Sequence, residues 1–209
     1  MIDTPETGDE NASALGLSRN DVMLLSILIE AGMGALALII GWLIAVPFHA
    51  TIHLSPPNWV SLALGVGFGV AAAAVALLVQ RLPLGFAKRL REKVDRIATE
   101  MLGECNVPDL IGISLLAGVG EELLFRGLIQ QGLSQYGVST PVVIVLVAVL
   151  FGLLHSLSIA YVVAAAIASV GLSVLYLYTG DLVSVMVCHA VYDLVLLLVA
   201  KWTSEEEGE

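Results

Sequence analysis

Three ionisable side chains fall within six residues of an apolar run, in Gly120-Glu121-Glu122-Leu123-Leu124-Phe125-Arg126-Gly127. Each would cost about 2.5–3.5 kcal/mol at the centre of a membrane helix, so they are expected to face a polar cavity or one another. His155, His189 and Asp193 lie in later apolar runs. At i, i+4 spacing Glu122 and Arg126 pair on one helix face, whereas Glu121 is rotated about 100° from Glu122. This divides the labour: Glu122 and Arg126 support, and Glu121 acts. His189 and Asp193 repeat the i, i+4 spacing, so Asp193 is expected to hold one ring nitrogen and leave the other toward the cavity. A carboxylate with two histidines around an enclosed water suits peptide hydrolysis. In a low-dielectric site Glu121 becomes a base able to take a proton from water, and the histidines orient that water and stabilise the oxyanion. Glu121, His155 and His189 are equally a ligand set for Zn²⁺. The residue types leave both chemistries open, with no cofactor or with zinc.

The elements that must position these groups are membrane helices. Of the 209 residues 58% are hydrophobic and 13% charged, with a mean hydropathy of +0.93. A soluble domain carries about 25% charged residues, and apolar runs of bilayer-crossing length recur along this chain. The alternation of a β-barrel is absent. The expected fold is all-α: a polytopic membrane helix bundle of about six transmembrane helices plus an amphipathic interfacial helix. The net charge of −10 comes largely from the ends, including Asp3, Glu6, Asp9 and Glu10, then Glu205, Glu206, Glu207 and Glu209. Solvated tails account for these, and an acidic balance excludes nucleic acid as a natural partner. Cys105 and Cys188 belong to no CxxC or CxxH pattern and read as packing residues.

In chain order, 1–20 is an acidic disordered tail and not a secretory signal. Residues 21–80 form two N-terminal spans. The first, 22–46, is entered through Ser18, Asn20 and Asp21, with Glu30 as its only charge. The connection that follows carries His49 and His53 among Pro47, Pro56 and Pro57, which favours a loop over a metal site. The second span, 59–79, is rich in Gly and Ala for close helix packing. Residues 81–106 hold Arg81, Lys88, Arg89, Arg91, Lys93 and Arg96, six of the nine Lys and Arg residues. The positive-inside rule makes this segment cytoplasmic, and Phe86, Leu90, Val94, Ile97 and Met101 give it an amphipathic helical stripe suited to the inner membrane surface and its anionic lipids. Residues 107–202 form a four-helix catalytic core. Its second helix, about 141–155, is too short to cross ~30 Å and should end below the membrane surface at His155. Asp181 is a good N-cap for the last helix. Residues 203–209 form a second acidic tail, and six crossings place both termini in the cytoplasm.

Taken together, Glu121-Glu122-x-x-x-Arg126, Phe151-x-x-x-His155 and His189-x-x-x-Asp193 resemble the three motifs of the CAAX protease and bacteriocin-processing (CPBP, or Abi) family of intramembrane endopeptidases. The likeness covers about residues 112–197. It implies that Glu121 activates water, that His155 and His189 complete the site, that Asp193 supports or binds, and that Glu122, Arg126 and Phe151 are supporting residues. The last motif of the family carries Asn or Asp, and the eukaryotic CAAX enzymes carry Asn. Some members are described as metalloproteases, whereas the motif fits a glutamate-activated water equally well. The resemblance implies a peptide or prenylated-protein substrate. Its identity and the oligomeric state are not written in the residues, and the C-terminus Glu206-Glu207-Gly208-Glu209 is no CAAX box.

Other membrane proteases fit less well. There is no HExxH and no GxSxG, and the aspartates of Gly180-Asp181 and Tyr192-Asp193 stand in the reverse order for a presenilin-type pair. Two further readings stay open: a proton- or ion-coupled transporter, and a non-catalytic membrane scaffold locked by Glu122 and Arg126.

Overall fold

The computed structural model describes residues 17–48, 51–52 and 59–207, with side chains described for these except 97–102 and 204–207. His49, His53 and the tail residues 1–16 and 208–209 lie outside the described residues, as do the side chains of Ile97 and Met101.

The described residues form seven helices and no strand. Helix α1 (Arg19–Leu43) starts in a reciprocal cap, in which Asp21 N–H donates to Ser18 Oγ at 3.3 Å and Ser18 N–H donates to Asp21 Oδ2 at 3.0 Å. It therefore begins two residues inside the expected tail. Helix α2 is Trp59–Gln80 and the amphipathic helix α3 is Gly85–Leu102. Helix α4 runs without a break through Val107–Glu122, a stretch of wide π-type turns at Leu123–Gln130, and Gln131–Gln135. Helix α5 is Thr140–Leu154, α6 is Ile159–Thr179, and α7 is Leu182–Glu207. Helix α7 thus continues beyond Lys201–Trp202 into the expected acidic tail, whose Glu residues are good helix formers.

Helices α1, α2, α6 and α7 are each long and apolar enough to cross a membrane, and α5 is a shorter apolar helix. Their outward faces are apolar: Leu28, Ile39, Val60, Leu78 and Ile167 are all exposed. In water such faces would be costly; in lipid they are the solvent-facing surface. Trp42, Trp59, Tyr136 and Tyr178 are exposed at helix ends that share one side of the bundle, an aromatic belt at one interface.

Helix α7 stands at the centre, packed against α2 on one side and α4 on the other. Glycine permits both approaches. A methyl group added at Gly65 or Gly69 of α2 would lie 2.5 Å from the Ser184 carbonyl oxygen or 2.6 Å from that of Cys188, and one at Gly118 of α4 would lie 2.7 Å from that of Met186. Gly67, on the other face of α2, meets nothing. Helices α1 and α4 approach at Gly120, where an added methyl group would run into the Glu30 carbonyl. Amphipathic α3 turns Ala87 and Leu90 onto the bundle, against α6 and α7, and leaves Lys88, Arg89 and Arg91 exposed.

Candidate functional site

The polar groups converge from four helices. Glu121 and Glu122 end the regular part of α4, directly before its wide turns, a feature that π-type segments often show at functional sites. The two carboxylates diverge as the 100° rotation requires. Glu122 Oε1 accepts from Arg126 Nη1 at 2.9 Å and from His189 Nδ1 at 2.7 Å. Arg126 continues outward, with Nη2 donating to the carbonyl and the hydroxyl oxygen of Ser169 on α6, each at 2.7 Å. Glu122 and Arg126 are both 0% exposed. This buried chain ties α4, α6 and α7 together, so the pair does more than neutralise itself.

Glu121 points to the other side of α4. Its Oε1 stands 3.7 Å from His155 Nε2, while Oε2 is buried with no hydrogen-bond partner among the described residues. His155 occupies the end of α5, where the helix stops short as its length predicts. The ring is fixed twice: Nδ1–H donates to the Phe151 carbonyl at 2.8 Å, and Phe151 stacks on it with centroids 4.4 Å apart and planes 16° off parallel. A donating Nδ1 leaves Nε2 as the bare, accepting nitrogen of the neutral ring, aimed at Glu121. Phe151 in turn meets Phe125 edge-on at 4.8 Å and lies 5.2 Å beneath the Arg126 guanidinium carbon, which joins the histidine platform to the buried ion pair.

His189 is where the structure departs from expectation. Asp193 Oδ2 lies 3.3 Å from Nε2, as the i, i+4 spacing suggests, yet the nearer partner is Glu122 at Nδ1. Asp193 faces Nε2, and the nitrogen expected to be left free, Nδ1, is held by Glu122. The sequence could not foresee this, because the distance from Glu122 to α7 depends on the close approach at Gly118. His155 and Asp193 are the partly exposed members of the group, so the site opens on their side.

Residues 104–195 match the family described as "Type II CAAX prenyl endopeptidase Rce1-like". This core is similar to the Rce1-like family. The matched segment contains all six ionisable residues just described together with Phe151, and omits α1 and α2. Comparison with curated proteins and with solved structures found no match. A core similar to the CAAX-type endopeptidases, set in a bundle of apolar helices, points to an integral membrane protein.

The zinc alternative for Glu121, His155 and His189 can be tested on this geometry. Among the described residues no three His, Cys, Asp or Glu side chains converge as metal ligands. Nδ1 of His189 is held by Glu122, and Nε2 lies 3.3 Å from Asp193, a residue outside the expected ligand set. The residues as placed do not fit a resident zinc. Both cysteines are buried free thiols.

One member of the polar group went unassigned in the sequence. Glu30 of α1 lies within electrostatic reach of Glu121, His189 and Asp193. The signal was present: a lone carboxylate in an apolar span, the same anomaly that drew attention to Glu121.

Proposed function

We propose that the protein is an intramembrane endopeptidase that cleaves a peptide bond with water activated by Glu121 and His155. The observation that carries this reading is the facing pair itself. A carboxylate oxygen and a bare imidazole nitrogen 3.7 Å apart are too far for a mutual hydrogen bond and are placed to share one water molecule. Glu121 takes a proton from that water as its oxygen attacks the scissile carbonyl carbon. The oxyanion that forms is stabilised by the proton that His189 Nε2 and Asp193 share, held in place by Glu122 at Nδ1. When the tetrahedral intermediate collapses, the C–N bond breaks and Glu121 returns the proton to the leaving nitrogen. Glu122, Arg126 and Phe151 keep the two histidines in position.

The family description directs the substrate class to peptides ending in a prenylated CAAX box. Exposed Lys88, Arg89 and Arg91 on α3 suit anionic lipid headgroups, and the positive-inside rule supports a reading in which α3, both termini and the open end of the site are cytoplasmic. The test is cleavage of an S-farnesylated CAAX-ended peptide by protein reconstituted in liposomes, followed by mass spectrometry. Wild type should release the three C-terminal residues and Glu121→Gln should not. Equal release by the two would overturn the mechanism.

A further inference from the structure

Helix α1 lies outside the matched segment, yet it brings a carboxylate to the edge of the site. Its turn at Ile27–Ala31 is widened in the π manner, with Glu30 inside it. The neighbouring backbone is seated on Gly120, which leaves no room for a side chain there and sets Glu30 beside the residue preceding Glu121. Glu30 Oε2 is sealed from solvent and has no hydrogen-bond partner among the described residues. An open groove of about 480 Å³ runs along the same contact between α1 and α4. Glu30 is its one lining residue with a polar side chain; the others are Ala, Gly, Leu and Val. A carboxyl oxygen buried without a donor is costly in any protein and more so in lipid. Arg126 gives its Nη1 and Nη2 donors to Glu122 and Ser169.

A peptide entering a lipid-facing site has the complementary problem. Its side chains can be apolar, but each backbone N–H leaves water and needs an acceptor. We propose that Glu30 is a substrate-binding residue of the peptidase, its carboxylate accepting a hydrogen bond from a main-chain N–H next to the scissile bond while apolar side chains of the same peptide lie in the α1–α4 groove. This rests on the peptidase reading. It adds a recognition element from outside the family core, one that selects for an unsubstituted amide at a fixed distance from the cut.

The experiment separates binding from cleavage. Fluorescently labelled, S-farnesylated CAAX-ended peptide is titrated into the Glu121→Gln protein in nanodiscs, with Glu30 intact, as Glu30→Gln and as Glu30→Ala. A hydrogen bond to a charged acceptor corresponds to about tenfold or more in affinity, so Glu30→Ala should weaken binding about tenfold and Glu30→Gln, which retains a carbonyl acceptor, about twofold. Peptides N-methylated at one amide at a time locate the donor. One position should cost about tenfold with Glu30 intact and nothing with Glu30→Ala. If Glu30→Ala is not monodisperse, Glu30→Met, similar in length and at home in lipid, takes its place. Unchanged affinity on losing the carboxylate, or N-methyl penalties equal in both proteins, would overturn the proposal. Wild type that binds in the expected pattern but does not cleave would sink the peptidase mechanism and leave Glu30 as a binding residue. Cleavage with binding indifferent to Glu30 would do the reverse.

Discussion

The buried pair Glu122–Arg126 makes the sharpest stability prediction. Replacing Arg126 by Leu strips Glu122 of its cation in a site where neither side chain has any exposure, and strips Ser169 of two charge-assisted bonds of 2.7 Å. Removing one partner of a buried ion pair costs about 3–5 kcal/mol, most of it from the charge left behind. That origin can be isolated. Glu122→Gln removes the charge but keeps a carbonyl oxygen to accept from His189 Nδ1, so in the Arg126→Leu background it should be stabilising where in the wild type it is destabilising. We expect a coupling of about 2 kcal/mol between the two sites, with the double variant more stable than Arg126→Leu alone. Reversible SDS unfolding followed by circular dichroism, across wild type, both single variants and the double, gives the cycle. Additive losses would refute the argument that an uncompensated buried charge dominates, and would point to lost packing instead.

Four further outcomes follow from the same geometry. Glu121→Gln should lower kcat by about 10²–10⁴, the usual contribution of a general base, with peptide binding retained in fluorescence titrations. Phe151→Leu removes the face against which His155 stacks and should lower kcat about tenfold or more with little change in KM, whereas Phe151→Tyr should be milder. Asp193→Asn keeps an acceptor for His189 Nε2–H and adds a donor, so it should retain activity within about tenfold; Asp193→Leu loses both and should fall by about 10² or more. Gly69→Ala forces a methyl group to within 2.6 Å of the Cys188 carbonyl oxygen and should cost about 1–3 kcal/mol in SDS unfolding, while Gly67→Ala should be neutral.

Much of this site was visible in the sequence because it rests on local geometry. The pairing of Glu122 with Arg126, the opposite aim of Glu121, and the approach of Asp193 to His189 all follow from helical spacing, and the stop at His155 follows from the length of its apolar run. Ser18 and Asp181 act as caps for the reasons their side chains suggest. What escaped was tertiary. The bond from Glu122 to His189 depends on how closely α4 and α7 approach, and the hold of Arg126 on Ser169 depends on where α6 lies; no spacing within one helix encodes either. The widened turns at 27–31 and 123–130 also left no mark on the apolar pattern, because they change rotation along a helix and not the composition of its faces. Glu30 shows as a lone carboxylate in its span, but the charged groups near it, His189 and Asp193, are on another helix.

The glycine seams on either side of α7 carry a consequence for how the protein can be divided. The helix that bears His189 and Asp193 is gripped by α2 along Gly65 and Gly69 as closely as it is by α4 at Gly118. The matched segment therefore lacks one wall of its own: residues 104–195 alone would turn the face of α7 that carries Ser184 and Cys188 to lipid. Cut in the link between α2 and α3, the two pieces should be inert apart and regain a working site only when inserted together, with α2 serving as a subunit in all but covalent connection.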